Sequence, residues 1–307
     1  IVPSIQNLPA PPILGVNYIQ TLCRQGQGAG QLLRPMGLEL DLRGLLYVAD
    51  SENNRVQVID ADGNFVAEYG KRGWRTGEFD TPTDVALNFQ RTEILYVADT
   101  DNNRIQYCNL VDGIFHVMTG GTSRYNSENR GGDAAIELDL PSGIGIGRDG
   151  EIYVVDTGNN RFIKFDTEGM PVLTRGSFGR AREQFQAPTD LVVDARGNVY
   201  IVDSGNHRIK KYDFSGNLIQ IWGGQGSALG QFQGPSHIAL DRWNYLYVTD
   251  RGNGRVQVFT ADGQSVAEFR SEMLVEPVGI AISKDDRIFV SDIVANNIKV
   301  FQVIYRP

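Results

Sequence analysis

The sequence predicts an all-β protein, a six-bladed β-propeller of four-stranded blades whose ring is closed by the N-terminal strand completing the last blade. Three observations predict it. A strand ending in aspartate recurs six times, as Leu46–Asp50, Leu95–Asp99, Ile152–Asp156, Val199–Asp203, Leu246–Asp250 and Ile288–Asp292. Those aspartates follow Pro35, Pro82, Pro141, Pro188, Pro235 and Pro277 at 15 residues in five copies and 17 in the second. The sixth copy ends after its third strand, and the strand it lacks stands ahead of the first proline. Self-similarity at a period of 42 to 57 residues, the steps between the aspartates, marks a repeat architecture.

Within a copy, the run after the proline (Gly37–Leu40, Asp84–Leu87, Gly143–Ile146, Asp190–Val193, His237–Leu240, Gly279–Ile282) is apolar enough for a strand buried on both faces. A polar turn such as Asp194–Gly197 leads into the aspartate-ending strand. In the second copy that turn is longer, over Asn88–Glu93. The third strand alternates, as in Val56–Ile59, Ile105–Tyr107, Ile209–Tyr212 and Val256–Phe259. Asp-x-x-Gly turns ending at Gly63, Gly169, Gly216 and Gly263, with a relative at Gly113, then close a hairpin, because glycine adopts the positive φ it needs. A fourth strand such as Phe65–Tyr69 or Leu218–Trp222 completes the unit. One small sheet cannot bury both faces alone, so such units pack around a ring. No window carries the 3.6-residue period of a helical solenoid.

For closure, the third strand of the sixth copy runs over Ile298–Ile304, and Val16–Cys23 occupies the fourth-strand slot. Joining them removes exposed sheet edges. The domain boundaries that follow are an extended Pro-rich tail over residues 1–15, with Pro3, Pro9, Pro11 and Pro12, and one propeller over residues 16–307.

These residues resemble the NHL repeat family over roughly residues 16–303. The shared signature is proline, an apolar strand, the aspartate-ending strand, then Asp-x-x-Asn-x-Arg. The last element stands at Asp50 and Arg55, Asp99 and Arg104, Asp156 and Arg161, Asp203 and Arg208, and Asp250 and Arg255. The sixth copy departs, with Ala295 in the asparagine slot and Asn297 in the arginine slot. A pair repeated five times reads as a structural brace, since one catalytic centre would break the ring's symmetry.

Composition narrows the function classes. The net charge of −8 opposes phosphate-neutralising binding of nucleic acid, which disfavours RNA as a partner. No run approaches the roughly 18 apolar residues of a membrane-spanning helix. Cys23 and Cys108 have no disulfide-framework or metal spacing and read as small buried apolar residues in strands. Opening on Ile1 without a charged-then-apolar leader raises the expectation of a processed, exported chain.

Of three histidines, His207 falls in a turn slot held elsewhere by Asn54, Asn103, Asn160, Gly254 and Asn296, and His116 lies in a fourth strand. His237 sits two residues after its proline, where the other copies have Gly37, Asp84, Gly143, Asp190 and Gly279. That slot begins the innermost strand, so Asp84, Asp190 and His237 are candidates to hold a divalent cation at the mouth of the central channel. No other cofactor is expected. Peptide-amidating lyases share this resemblance and bind zinc through histidines directly after repeat prolines. Here those positions are Met36, Thr83, Ser142, Thr189, Ser236 and Val278, none of which supplies an imidazole.

The connections between blades and those between second and third strands share one face. The longest, residues 120–140 between copies two and three, exceeds its commonest counterparts by ten residues (Asp99 to Pro141 is 42, Asp50 to Pro82 is 32). Arg124, Tyr125 and Arg130 there, with Trp74, Arg75 and Arg251 on neighbouring connections, are the candidate residues for a protein partner. The leading expectation is a non-catalytic protein-interaction or assembly module. The alternative is a metal-dependent hydrolase or lyase using a cation at the channel mouth.

Overall fold

Six antiparallel four-stranded sheets form the blades of a propeller in the computed structural model, which describes residues 10–88, 93–121 and 136–306. Blade 1 comprises Pro35–Leu40, Leu46–Asp50, Arg55–Ile59 and Phe65–Tyr69, and blades 2 to 5 repeat that order. Blade 6 takes its three inner strands, Pro277–Ile282, Arg287–Asp292 and Asn297–Tyr305, from the end of the chain and its outermost, Ile13–Leu22, from the beginning. The register pairs Val16 with Val303 and Leu22 with Ile298, so the ring closes as the sequence predicts. The closing strand starts at Ile13, three residues before Val16. Ahead of it, Pro12 and Pro11 accept hydrogen bonds from the Arg306 N–H at 2.8 Å and the Tyr245 hydroxyl at 3.2 Å.

The apolar core lies between blades, not within them. Tyr47, Val56 and Val58 of blade 1 pack on Val85, Leu95 and Val97 of blade 2, and a corresponding cluster fills each interface round to blade 6 against blade 1. Each blade-to-blade connection drives one apolar side chain into this layer: Leu32, Phe79, Leu138, Phe185, Phe232 and Leu274 are all buried. Burying such a side chain stabilises by about 2–3 kcal/mol, enough to pin a polar, glycine-rich loop at one point.

Turn chemistry follows the sequence closely. Gly63 and Gly216 have φ of 84° and 77°, as their hairpins require. The slot shared by Asn54, Asn103, Asn160, His207, Gly254 and Asn296 is left-handed throughout, with φ between 53° and 60°. His207 stands in for asparagine there: its Nδ1 accepts the Gly234 N–H at 3.0 Å, as Asn54 Oδ1 accepts that of Thr81 at 2.9 Å. His116 stacks on Tyr107 in its outer strand, with centroids 5.1 Å apart. Cys108 is buried in a strand. Cys23 is not in one: it follows the strand ending at Leu22 with φ of 63°, half-buried, because the chain must turn there to enter blade 1.

Candidate functional site

The repeated Asp–Arg pair clamps the blade-to-blade loops. Nε of Arg55, Arg104, Arg161, Arg208 and Arg255 donates to Asp50, Asp99, Asp156, Asp203 and Asp250 at 2.6–2.8 Å. Each aspartate is fully buried and also accepts a backbone N–H from the incoming loop, for instance Leu33 to Asp50 and Gln233 to Asp250, both at 2.7 Å. In four of the five, an arginine Nη2 then reaches two carbonyls of that loop, as Arg104 does to Arg75 and Glu78 at 2.8 and 2.9 Å. In blade 6, where the arginine is absent, Asp292 accepts four backbone N–H groups, from Val275, Glu276, Val294 and Ala295. Charge-assisted hydrogen bonds therefore hold the loop face rigid around most of the ring.

A belt of hydroxyls ties the blades together beneath that face. Ser51 donates to the Pro82 carbonyl, Thr100 to Pro141, Thr157 to Pro188, Thr189 to Ser236, Thr249 to Val278 and Ser291 to Met36, all at 2.5–2.8 Å. Thr83, Ser142 and Thr189, in the slot directly after the proline, bridge to the next blade in this belt. That slot braces blades here and offers no imidazole.

All six inner strands line a central cavity of about 290 Å³. Asp84, Asp190 and His237 form its loop-face end, each only 5% exposed. The cation site expected of these three does not assemble: no group of three or more His, Cys, Asp or Glu among the described residues is placed to hold a metal ion. The aspartates are diverted to the blade joints. Asp84 Oδ2 accepts the Ile144 N–H of blade 3 at 2.7 Å, and Asp190 Oδ2 accepts that of Ile238 in blade 5 at 2.9 Å. Their other sides lean over glycines of the preceding blades. A Cβ on Gly37 would lie 2.1 Å from Asp84 Oδ1, and one on Gly143 would lie 2.7 Å from the Asp190 Cα. Gly37 and Gly143 are thus paired with the aspartates of the following blades, while Gly279 faces the Met36 carbonyl. His237 Nδ1 lies 3.1 Å from Ser236 Oγ, and its buried Nε2 has no partner.

Glu39 joins them one layer deeper. Its side chain borders the cavity lumen yet is ringed by protein, and burial, with the Asp84 charge added, pushes its carboxyl up to about 8. Burial likewise raises Asp84 and Asp190, the latter also through the Asp84 charge, and lowers His237 to about 4. The sequence held a signal for Glu39: four residues after the proline the other copies have Ala86, Gly145, Val192, Ala239 and Ala281. One carboxylate among small apolar residues is the exception in its column.

On the loop face, Trp74 stands 48% exposed, with the Arg75 guanidinium 5.5 Å from its ring centre. The backbone beneath is fixed: Gly73 and Arg75 carbonyls accept from Asn102 Nδ2 and Arg104 Nη2, both at 2.8 Å. Arg251 is committed to Glu276 at 2.7 Å, in a different sector of the ring. Arg124, Tyr125 and Arg130 lie outside the described residues.

The repeats match a known family model. Residues 32–59, 138–165 and 185–212 each match the NHL repeat, and each span runs from the loop anchor through the clamp to the third strand. The chain is an NHL-repeat propeller. Protein lin-41 of Caenorhabditis elegans is 50% identical to this NHL propeller over 50 residues, 16% of this chain and 4% of that protein. Protein brain tumor of Drosophila melanogaster is 26% identical over 140 residues, 46% of this chain and 12% of that protein. The matched segments thus span a small fraction of these relatives. Among solved structures, virginiamycin B lyase from Staphylococcus aureus superposes with a TM-score of 0.63 at 14% identity, covering 94% of this chain and 100% of that one. An auxiliary nutrient binding protein from Bacteroides ovatus gives 0.69 at 16% identity, over 94% and 78%. At such identities the likeness is one of fold, which hosts many functions.

Proposed function

We propose that this NHL propeller is a non-catalytic protein-interaction or assembly module that engages its partner with the loop face. The observation that carries this reading is Trp74 and Arg75. An exposed indole and a stacked guanidinium stand on a backbone held by the clamp of blade 2. Tryptophan and arginine dominate interface energetics, and a loop ordered before binding loses little entropy on docking. Phe178, Leu229, Met273 and Val275 are exposed on other connections of the same face, which extends the apolar surface around the ring. The alternative of a metal-dependent hydrolase or lyase needs a cation cage that Asp84, Asp190 and His237 do not form.

The test is affinity purification from the native source with wild-type protein, Trp74→Ala, and Phe214→Ala, which removes an exposed aromatic on the opposite face. A co-purifying protein retained by Phe214→Ala and lost by Trp74→Ala supports the reading; retention by both overturns it. Deleting residues 126–131 tests the long connection in the same way, with unchanged co-purification removing it from the interface.

A further inference from the structure

The central cavity presents an unbalanced charge inventory. Glu39, Asp84 and Asp190 line it with His237, and no lysine or arginine is among the described residues around it. No hydrogen bond from the described residues reaches the Glu39 carboxyl. The aspartates meet only backbone N–H groups, of Ile144 and Val85 for Asp84 and of Ile238 and Leu191 for Asp190, with no cation beside them. His237 Nε2 is a buried nitrogen without a partner, on a residue 5% exposed against the same cavity. Polar groups left this way in a desolvated site are costly, and a ligand that satisfies them recovers that cost.

The distribution of these groups identifies the ligand's chemistry. A divalent metal needs several ligand atoms converging on one point at about 2.0–2.6 Å, which the dispersed acceptors do not provide. The polar groups sit at the loop-face end. Towards the other face the wall is Ala86, Val192 and Ala239, then Leu40, Ile146, Val193 and Leu240. A cationic head on an unbranched aliphatic stem matches both parts: its three N–H donors find separate acceptors while its methylenes cover apolar wall.

We propose that the central cavity binds a primary alkylammonium group, with the three N–H donors of its head shared among Glu39, Asp84, Asp190 and His237 Nε2, and its chain laid along the apolar wall. Either a free amine or a lysine side chain of a partner carries this group. Burial raises all three acids, which fits a site that lacks its counter-charge.

Calorimetric titration with n-butylammonium and n-hexylammonium chloride tests the proposal. The expected result is one site per chain, with the hexyl compound binding about tenfold more tightly because two further methylenes are buried. Glu39→Gln, which keeps size and removes charge, is expected to weaken binding at least tenfold, as is Asp190→Asn, which can still accept the Ile238 N–H. Circular dichroism confirms that each variant is folded, and either one suffices if the other is not. Comparable binding of Nα-acetyl-lysine-N-methylamide assigns the site to a lysine side chain, and binding of the simple amines alone assigns it to a small molecule. No saturable binding, equal binding by the folded variants, or displacement of the amine by stoichiometric calcium chloride overturns the proposal.

Discussion

Lys210 is a buried ammonium in a slot built for an amide, and Lys210→Gln should stabilise the protein. In blades 1, 2 and 5 the slot holds Gln57, Gln106 and Gln257, whose Nε2 donates to the clamp aspartate at 3.0, 2.9 and 3.1 Å. Their Oε1 accepts a loop N–H, from Gly30, Gly77 and Gly230, at 2.8–3.0 Å. Lys210, with no exposed surface, donates to the Gln184 carbonyl, stands 3.6 Å from Asp203 and lies 3.8 Å over the Phe185 ring. Those contacts do not offset desolvation, which lowers its pKa from 10.5 to about 8. That fall corresponds to an upper bound of about 3 kcal/mol. The substitution removes this penalty and restores the Oε1 acceptor at about 1 kcal/mol, less the lost Asp203 attraction. A net gain of about 1–3 kcal/mol at pH 7 is expected in urea denaturation followed by tryptophan fluorescence. The sign of the pH dependence gives a second check. The folded pKa lies below the unfolded one, so between pH 8 and 10.5 the unfolded chain holds a proton that the folded chain has released. Wild-type stability therefore rises across that window, and its deficit against Lys210→Gln narrows. A variant less stable at pH 7, or a gap unchanged at pH 9.5, refutes the reasoning.

Glu39 obeys the opposite sign. Its folded pKa, near 8, lies above the 4.5 of an ordinary glutamate, so the wild type loses stability as pH rises from 4.5 to 8. Glu39→Gln should show a shallower slope and higher stability at pH 8 in the same denaturation assay. Arg255→Ala strips the counter-charge from a fully buried aspartate and should cost about 3–5 kcal/mol. Arg161→Ala should cost less, because the Arg161 side chain is 26% exposed and water can reach the gap it leaves. Equal losses in chemical denaturation would show that burial does not set the strength of the clamp. Gly37→Ala should destabilise by about 1–3 kcal/mol, because the added methyl would lie 2.7 Å from the Asp84 Cα and 2.9 Å from the Thr83 carbonyl. Since these are backbone atoms, adding Asp84→Gly should not restore stability; full recovery in the double variant contradicts the close-approach explanation.

What could be read from the chain was whatever repeats. The proline, the aspartate-ending strand and the clamp are local patterns copied five or six times, so they set blade number, strand order and even the asparagine-like role of His207. Ring closure was legible because the sixth copy lacks a strand that the N-terminus supplies. The cavity was harder to read. Periodicity placed Asp84, Asp190 and His237 in one layer, but whether they converge depends on which oxygens the neighbouring amides already occupy. Glu39 is harder to pick out because its column is otherwise apolar, and its departure from alanine, glycine and valine is the only signal there. The loop anchors Phe79, Phe185 and Phe232 recur as visibly as the glycines before them, yet only packing shows that they enter the inter-blade layer.

The pairing of Ile13 with Tyr305 brings the two ends of the propeller side by side at the rim opposite the connections that carry Trp74. Both ends of the described chain therefore leave the ring from the face away from that surface. The same adjacency makes the circle indifferent to its starting point. A short linker from Arg306 to Ala10, with new termini opened in an exposed hairpin such as Ala61–Gly63, should return the same blades in rotated order.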